Sequence, residues 1–181
     1  MYVYIFIIHR QTRYVNIGCF FPSQKCLNIV KLGHIHTKIY IKEHNIMNKI
    51  ELATKKHSEG YNCAQAVACA YCDNVGLDEE TLFQLTSGLG LGMGSMEGSC
   101  GAVEAAALIA GTKARQMGLN KQETYKVCSK ISKEFKAKNQ SVICRELKGV
   151  GTGKILRSCN DCVKDAAEML GNALKDLEEV K

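Results

Sequence analysis

The amino-acid sequence predicts an all-α fold, a compact bundle of about six to seven helices that includes a glycine-rich loop. After Met47 the apolar residues recur at helical spacing, and alanine is frequent. No alternation of apolar and polar residues in this part of the chain indicates a strand. Helices are therefore expected at 47–58, 62–75, 79–86, 99–117, 121–138, 142–148 and 159–178.

Residues typical of helix ends support these segments in chain order. Gly60 is placed to end the first helix, and Gly118 to end the long one. Asn62, with Gln65 three residues later, has the spacing of a capping box at the start of the second helix. Asp78 is a suitable N-cap for the third. The helical region is thus predicted to form one domain, residues 47–181.

Residues 1–46 differ in composition from the rest of the chain. They are rich in Tyr, Phe, Ile and His, contain a single acid (Glu43), and show no sustained period of 2 or 3.6. One interpretation is a β-rich or membrane-touching arm. The other, which we favour, is translated upstream sequence, with Met47 as the real initiator. Under that interpretation this N-terminal extension is expected to be disordered.

The net charge of +6 comes mainly from the same extension, which has six Lys and Arg residues against one acid. The remainder has 18 basic and 17 acidic residues, so no basic surface is predicted and nucleic-acid binding is excluded as a function class. The opening MYVYIFIIHR has no basic stretch before its apolar run and is too short to span a bilayer. A cytoplasmic protein without stable membrane insertion is expected, with thiols free or metal-bound.

Four of the ten cysteines share one feature, a position at the start of a predicted helix. Cys63, Cys100 and Cys159 each follow a capping residue, and Cys144 begins the short helix. Unpaired N–H groups and the helix dipole favour an anion there, so we expect the pKa of these thiols to be lowered. Thiolate is the form that binds metals and attacks disulfides. We therefore predict one redox site formed by these four thiols. The alternative interpretation is that these four cysteines are simply buried as small apolar side chains.

Cys162 competes with Cys159 for the fourth position, because both face the apolar stripe of the last helix one turn apart. The first-turn argument favours Cys159, and the two could also form a redox pair. Cys69, Cys72 and Cys128 are interpreted as packing residues. The remaining two cysteines, Cys19 and Cys26, lie in the N-terminal extension.

The other chemistry-bearing residues limit the type of site. His57 is the only histidine after Met47, which excludes a site with several histidine ligands. Neither CxxC is followed by histidine, so no c-type haem attachment is expected. Structural zinc usually uses closely spaced cysteine pairs, whereas the four selected thiols are far apart in sequence.

The glycine-rich segment 87–102 leads directly into the long helix. Such a loop can bring backbone N–H groups to an anionic sulfur site, or it can be a tight-packing turn. No strand precedes it, so a dinucleotide site is not indicated. Candidate cofactor-binding residues in it are Gly92, Gly94, Gly98, Gly101 and Ala102.

These motifs resemble a known family. YNCAQAV around Cys63, GLGLGMGSMEGSCGA with Cys100, CREL with Cys144, and a cysteine before VKDAAE resemble the redox-active proteins named for their C_GCAxxG_C_C pattern. The likeness covers about residues 50–175. The family is related to part of split-Soret cytochrome c, which implies an iron–sulfur centre. Ala105 stands where the pattern has glycine, and the haem motifs of the cytochrome are lacking.

The leading functional hypothesis is a redox or electron-transfer protein whose four cysteines ligate an iron–sulfur cluster of the 2Fe–2S type. A metal-free thiol–disulfide oxidoreductase, with Cys159 and Cys162 as one pair, is the second. A zinc-stabilised helical module is the third. The sequence does not name the redox partner protein, and it leaves open whether the chain is an enzyme and whether it forms a homodimer.

Overall fold

The computed structural model describes residues 14–16, 29–31 and 48–179. The chain divides into two compact units, Met1–Asn45 and Ile46–Lys181. The described residues of the first unit form an antiparallel pair of short strands, β1 (Tyr14–Asn16) and β2 (Ile29–Lys31), in which Val15 pairs with Val30. For the other residues of the N-terminal extension, the expectation of disorder concerns residues outside the part of the chain that the structure describes.

The second unit is helical between residues 48 and 179, which confirms the predicted all-α class. Its helices are α1 (Lys49–Ser58), α2 (Cys63–Ala70), α3 (Cys72–Val75), α4 (Glu79–Leu85), α5 (Gly90–Met93), α6 (Gly101–Gln116), α7 (Lys121–Asn139), α8 (Cys144–Leu147) and α9 (Cys159–Glu179). A single 3₁₀ turn, Ser87–Leu89, precedes α5.

The predicted helix starts are confirmed in atomic detail at two places. The Asn62 side chain accepts hydrogen bonds from the N–H groups of Ala64 and Gln65, and the Gln65 side chain accepts from the Asn62 N–H, which completes the capping box. Asp78 accepts from the N–H of Thr81 at the start of α4. These caps satisfy N–H groups that have no partner inside the helix.

One predicted helix is divided. The sequence predicts a continuous helix over 62–75, but the backbone leaves helical geometry at Tyr71, with φ −113° and ψ 16°. The Tyr71 hydroxyl donates to the carbonyl of Ala167 on α9 at 2.7 Å. Gly76 then ends α3 with a left-handed φ of 69°. The break is therefore associated with a tertiary hydrogen bond that helical periodicity does not report.

Helix α6 lies at the centre of the bundle and packs against α2, α7 and α9. Its buried face consists mainly of small residues, which allow the neighbouring helices to approach closely. These are Ala102, Ala105, Ala106, Ala110 and Ala114, together with Val103 and Ile109. Helix α1 packs against α2 and α9. This packing fixes the N-terminal ends of α2 and α6, where two of the predicted site cysteines lie.

Among the described residues, no helix combines the length and the apolar character that crossing a membrane requires.

Candidate redox site

Three thiols from three different helices lie side by side. The Cys63 thiol, at the start of α2, is within hydrogen-bonding range of the Cys100 thiol at the N-cap of α6. On its other side, Cys100 is within the same range of Cys162 in the first turns of α9. Cys100 and Cys162 are buried, with 5% and 2% of their surface exposed, whereas Cys63 is half-buried. The structure thus places Cys162 against Cys100.

A short backbone pairing brings the fourth helix start to this cluster. Ser99 and Ile143 form an isolated antiparallel bridge. The Cys100 N–H donates to the Val142 carbonyl at 2.7 Å, and the Cys144 N–H donates to the Gly98 carbonyl at 3.0 Å. Cys144 is 6% exposed and lies close enough to Cys63 and Cys159 to interact with both electrostatically. All four predicted cysteines therefore belong to one region.

Cys159 occupies the more open side of this region. It begins α9 and is half-buried, and its sulfur lies near the Lys148 ammonium group. Lys148 also lies within electrostatic reach of Cys144 and Cys63. The five thiols of Cys63, Cys100, Cys144, Cys159 and Cys162 are called the thiol cluster below.

The glycine-rich loop packs directly on the thiol cluster. A Cβ atom on Gly101 would lie 2.4 Å from the Leu89 carbonyl oxygen and 3.0 Å from the Cys63 sulfur. One on Gly92, whose φ is +55°, would lie 2.7 Å from the Cys144 Cβ. Gly98 lies against the Gly92 backbone, while Gly94 has a left-handed φ of 76° and open space around it. Glycine is required at 92 and 101 because a side chain would collide with the site.

Two backbone N–H groups, rather than the glycines themselves, point to sulfur. The N–H groups of Leu91 and Ala102 are hydrogen-bond partners of the Cys63 sulfur. The Ala102 N–H is also a hydrogen-bond partner of the Cys100 sulfur. The loop therefore combines the two interpretations left open by the sequence, since it is both tightly packed and a source of N–H donors. Such donors stabilise negative charge on sulfur.

The pKa prediction is wrong for three of the four cysteines. The neighbouring Cys100 thiol and burial raise the pKa of Cys63, and the neighbouring Cys162 thiol raises the pKa of Cys100 to about 12. Burial raises the pKa of Cys144. Desolvation and adjacent thiols outweigh the helix-terminus effect at these positions.

The remaining described cysteines make contacts elsewhere. Cys69 is 1% exposed, and its thiol donates to the Glu79 carbonyl at 3.6 Å. Cys128 is half-buried and donates to the Ala107 carbonyl at 3.5 Å, against Gly111. Cys72, next to the break after α2, is half-buried. The predictions for Cys19 and Cys26 concern residues outside the described part.

Two charged residues near the thiol cluster were missed at the sequence level. Lys148 follows Cys144 by four residues, and Glu104 follows Cys100 by four residues. One Glu104 carboxylate oxygen is buried without a hydrogen-bond partner, and the carboxylate lies within electrostatic reach of Cys144. The i, i+4 spacing, which places two side chains on one helix face, was the available signal.

In the arrangement described for residues 48–179, no group of three or more His, Cys, Asp or Glu side chains is set to hold a metal ion. The donor set itself fits an iron–sulfur cluster in its chemistry, since it consists of cysteine sulfurs accompanied by backbone N–H donors.

The family comparison covers this whole region. A family model described as "Putative redox-active protein (C_GCAxxG_C_C)" matches residues 61–173, which include the five thiols and the glycine-rich loop. No curated protein and no solved structure matches the chain. The chain belongs to the C_GCAxxG_C_C family of redox-active proteins.

Proposed function

We propose that the protein transfers electrons through an iron–sulfur cluster, of the 2Fe–2S type, held by Cys63, Cys100, Cys144 and Cys159. The observation that carries this proposal is the proximity of thiols from four separate helix starts, two of which, Cys63 and Cys100, have peptide N–H groups as partners. Cysteine thiolates are the usual ligands of such clusters, and N–H···S hydrogen bonds tune their potentials. The bound cluster would supply one-electron redox chemistry. Cys159 is taken as the fourth ligand because it begins α9 on the more open side of the site, close to Cys144.

A cluster does not require its ligands to surround a single point. A two-iron cluster binds two cysteines at each metal atom, so its four sulfurs are divided between two centres. In the described arrangement the Cys100 thiol lies between those of Cys63 and Cys162, and the sulfurs do not surround one position. Binding would therefore involve separation of the Cys63 and Cys100 sulfurs, which now interact with each other.

Burial favours electron transfer over exchange with a disulfide of another protein. An attacking thiol must be accessible to the disulfide and largely present as thiolate. Cys100 and Cys144 are only 5% and 6% exposed, so a protein disulfide cannot reach their sulfurs without rearrangement. Electron transfer requires no such contact. In the proposed site the surrounding helices and the glycine-rich loop exclude water, and the N–H groups of Leu91 and Ala102 stabilise the sulfur charge.

The sulfur contacts favour a second candidate, a metal-free dithiol–disulfide couple. Cys63 with Cys100, or Cys100 with Cys162, could form a disulfide within the site. Two thiols would lose two protons and two electrons, and an external low-molecular-weight disulfide would take up both to give two thiols. The pair differs from Cys159 and Cys162, which the sequence had indicated. Its operation requires no metal.

Anaerobic purification of the full chain distinguishes these functions. Visible absorption and stoichiometric iron and acid-labile sulfide are expected for the cluster. Alanine substitutions at Cys63, Cys100 and Cys144 should each abolish the absorption. Cys128→Ala should preserve it, because the Cys128 thiol lies outside the thiol cluster and donates a hydrogen bond to the Ala107 carbonyl. Colourless, metal-free protein that releases two electrons to a small disulfide would contradict the cluster and support the dithiol couple. Zinc without iron or sulfide would contradict both.

A further inference from the structure

Part of the glycine-rich loop, residues 90–98, is wound in the left-handed sense and is called the lid below. Positive φ values recur through it: 55° at Leu91, 55° at Gly92, 57° at Met93, 76° at Gly94 and 64° at Met96. Glycine adopts this conformation freely, but in leucine and methionine the Cβ atom crowds the following carbonyl oxygen. The three non-glycine residues therefore carry backbone strain, which persists only where other contacts hold the chain in place.

The contacts that hold the lid are made with the start of α8. The Gly98 carbonyl accepts from the Cys144 N–H, and the Met96 carbonyl accepts from the Arg145 N–H, both at 3.0 Å. The Glu97 carboxylate also forms an ion pair with the Arg145 side chain. The first N–H groups of a helix have no partner inside that helix. The carbonyl groups of the lid therefore cap α8, and α8 in turn holds the strained lid.

The inner side of the lid lies on the thiol cluster. A Cβ atom on Gly92 would lie 2.7 Å from the Cys144 Cβ, and only 6% of the Cys144 surface is exposed. Directly before the lid, the Leu89 carbonyl oxygen lies against Gly101, the residue that contacts the Cys63 sulfur. The closed lid therefore helps to shield Cys144 from solvent, and separation of the lid from α8 would expose this thiol.

The outer side of the lid contributes little to holding it in place. Leu91 is 41% exposed and Met93 is 64% exposed, so much of each apolar side chain remains in water. Among the described residues other than its chain neighbours, none has an atom within 4 Å of the position that a Cβ on Gly94 would take. Burial of apolar surface, the main favourable contribution to folding, is thus small here. The closed form consequently depends on the bonds to α8, which the left-handed strain opposes.

We propose that the lid opens locally away from α8 and thereby admits small molecules and ions to the Cys144 side of the thiol cluster. The left-handed residues lower the free-energy cost of opening, and the hydrogen bonds with Cys144 and Arg145 close the lid again. The inference goes beyond the proposed function and applies to both of its candidates. Metal ions and small disulfides alike must reach sulfurs that are buried in the closed form.

Amide hydrogen exchange in the full-length protein as purified measures the opening. The reporters are the N–H groups of Cys144 and Arg145, which are bonded to the lid but distant from it in sequence. Substitutions in the lid therefore leave their intrinsic exchange rates unchanged. In native protein both should be less protected than the Ala110 amide in the buried middle of α6, which reports wider unfolding. Equal protection at all three amides would overturn the proposal, because the lid would then open only when the domain unfolds.

Two substitutions at exposed positions change the strain in opposite directions. Met93→Gly removes a strained Cβ and should slow exchange at both reporters about threefold, because relief of strain exceeds the added freedom of glycine in the open form. Gly94→Ala adds a Cβ to a left-handed residue without a steric contact and should accelerate exchange about threefold. The matched control is Gly88→Ala, before the lid, where a Cβ also meets open space but φ is not left-handed, and no change is expected.

Access to sulfur is measured separately, by alkylation of Cys144 with iodoacetamide in reduced, chelator-treated full-length protein. Alkylation should be fastest in Gly94→Ala and slowest in Met93→Gly, and unchanged alkylation despite altered exchange would overturn the role of the lid in access. If Gly94→Ala does not fold, Met93→Gly decides alone, and native exchange rates in that variant would equally refute the inference. Hydrogen exchange does not depend on a bound cluster, so failure of the electron-transfer proposal leaves this test intact.

Discussion

Gly101 lies directly against the Cys63 sulfur, so the first residue of α6 and the first residue of α2 leave no room between them for a methyl group. The hypothetical Cβ is 3.0 Å from that sulfur and 2.4 Å from the Leu89 carbonyl oxygen. A backbone carbonyl cannot move as readily as the end of a flexible side chain. This contact connects helix packing with the thiol cluster.

Gly101→Ala should consequently lower the free energy of unfolding by about 2 kcal/mol, as expected for overpacking. It should also reduce the iron content of purified protein, since Cys63 would be displaced. The matched control is Gly111→Ala on the same helix, where a Cβ would be 3.5 Å from the Cys128 sulfur. There alanine should be neutral or stabilise by about 0.5 kcal/mol. Urea unfolding and iron assays measure both effects; equal behaviour of the two variants would contradict the prediction.

The sequence was sufficient to predict the local structure around this site, but not the backbone pairing that brings its parts together. Asn62 with Gln65 could be identified as a cap because the required side chains lie within one helical turn. The bridge between Ser99 and Ile143 could not, because it joins two loops that are distant in sequence and have no strand pattern. That bridge is what brings Cys144 to Cys100. Assembly of the site therefore depends on long-range packing.

The pKa error has a similar origin. A helix start is visible in sequence, and for an isolated, accessible thiol it would favour thiolate. The thiol beside Cys63 and the burial of Cys144 come from residues elsewhere in the chain. Desolvation and thiol–thiol hydrogen bonding then dominate. The helix-start positions therefore identify the candidate site, but they do not determine whether its thiols are protonated.

Two capping boxes in this chain allow the stability effect of a cap to be separated from its effect on the site. Asn62 caps α2 beside Cys63 and also donates to the Ser87 carbonyl at 3.1 Å, while Asn120 forms the same box with Glu123 at the start of α7. Asn62→Ala and Asn120→Ala should each cost about 1 kcal/mol of unfolding free energy. Only Asn62→Ala should also lower the visible absorption per chain. Loss of absorption in both variants would show that it reflects general destabilisation.

The buried carboxylate of Asp165 should make the free energy of unfolding depend on pH in the acid range. It is 1% exposed and bound at 2.9 Å by both the Arg157 Nε and the Lys138 Nζ. Burial acts to raise the pKa of Asp165, but the hydrogen bonds from Arg157 and Lys138 outweigh it and hold this pKa below its usual value. A lowered folded-state pKa contributes stability that is complete above the unfolded pKa of about 3.9 and is lost as the pH falls through the folded value.

Asp165→Asn should therefore lose about 3 kcal/mol at pH 7, because it leaves two cations near a buried neutral group. The difference from native protein should decrease as the pH is lowered below about 4. Unfolding free energies between pH 3 and 7 provide the measurement. Asp176→Asn removes the exposed partner of Lys130 and should change stability by about 0.5 kcal/mol or less. A constant difference across this pH range would refute the linkage.

The fourth cluster ligand is tested by a pair of substitutions one helical turn apart. Cys159 lies on the more open side of the site and near Lys148, whereas Cys162 is 2% exposed and lies against the Cys100 thiol. Cys159→Ala should thus reduce iron and sulfide per chain to a small fraction of the native content, while Cys162→Ala should retain most of both. Because Cys162 is the more buried, its substitution should cost more unfolding free energy, about 1 kcal/mol. Retained iron in Cys159→Ala with loss in Cys162→Ala would transfer the ligand role to Cys162.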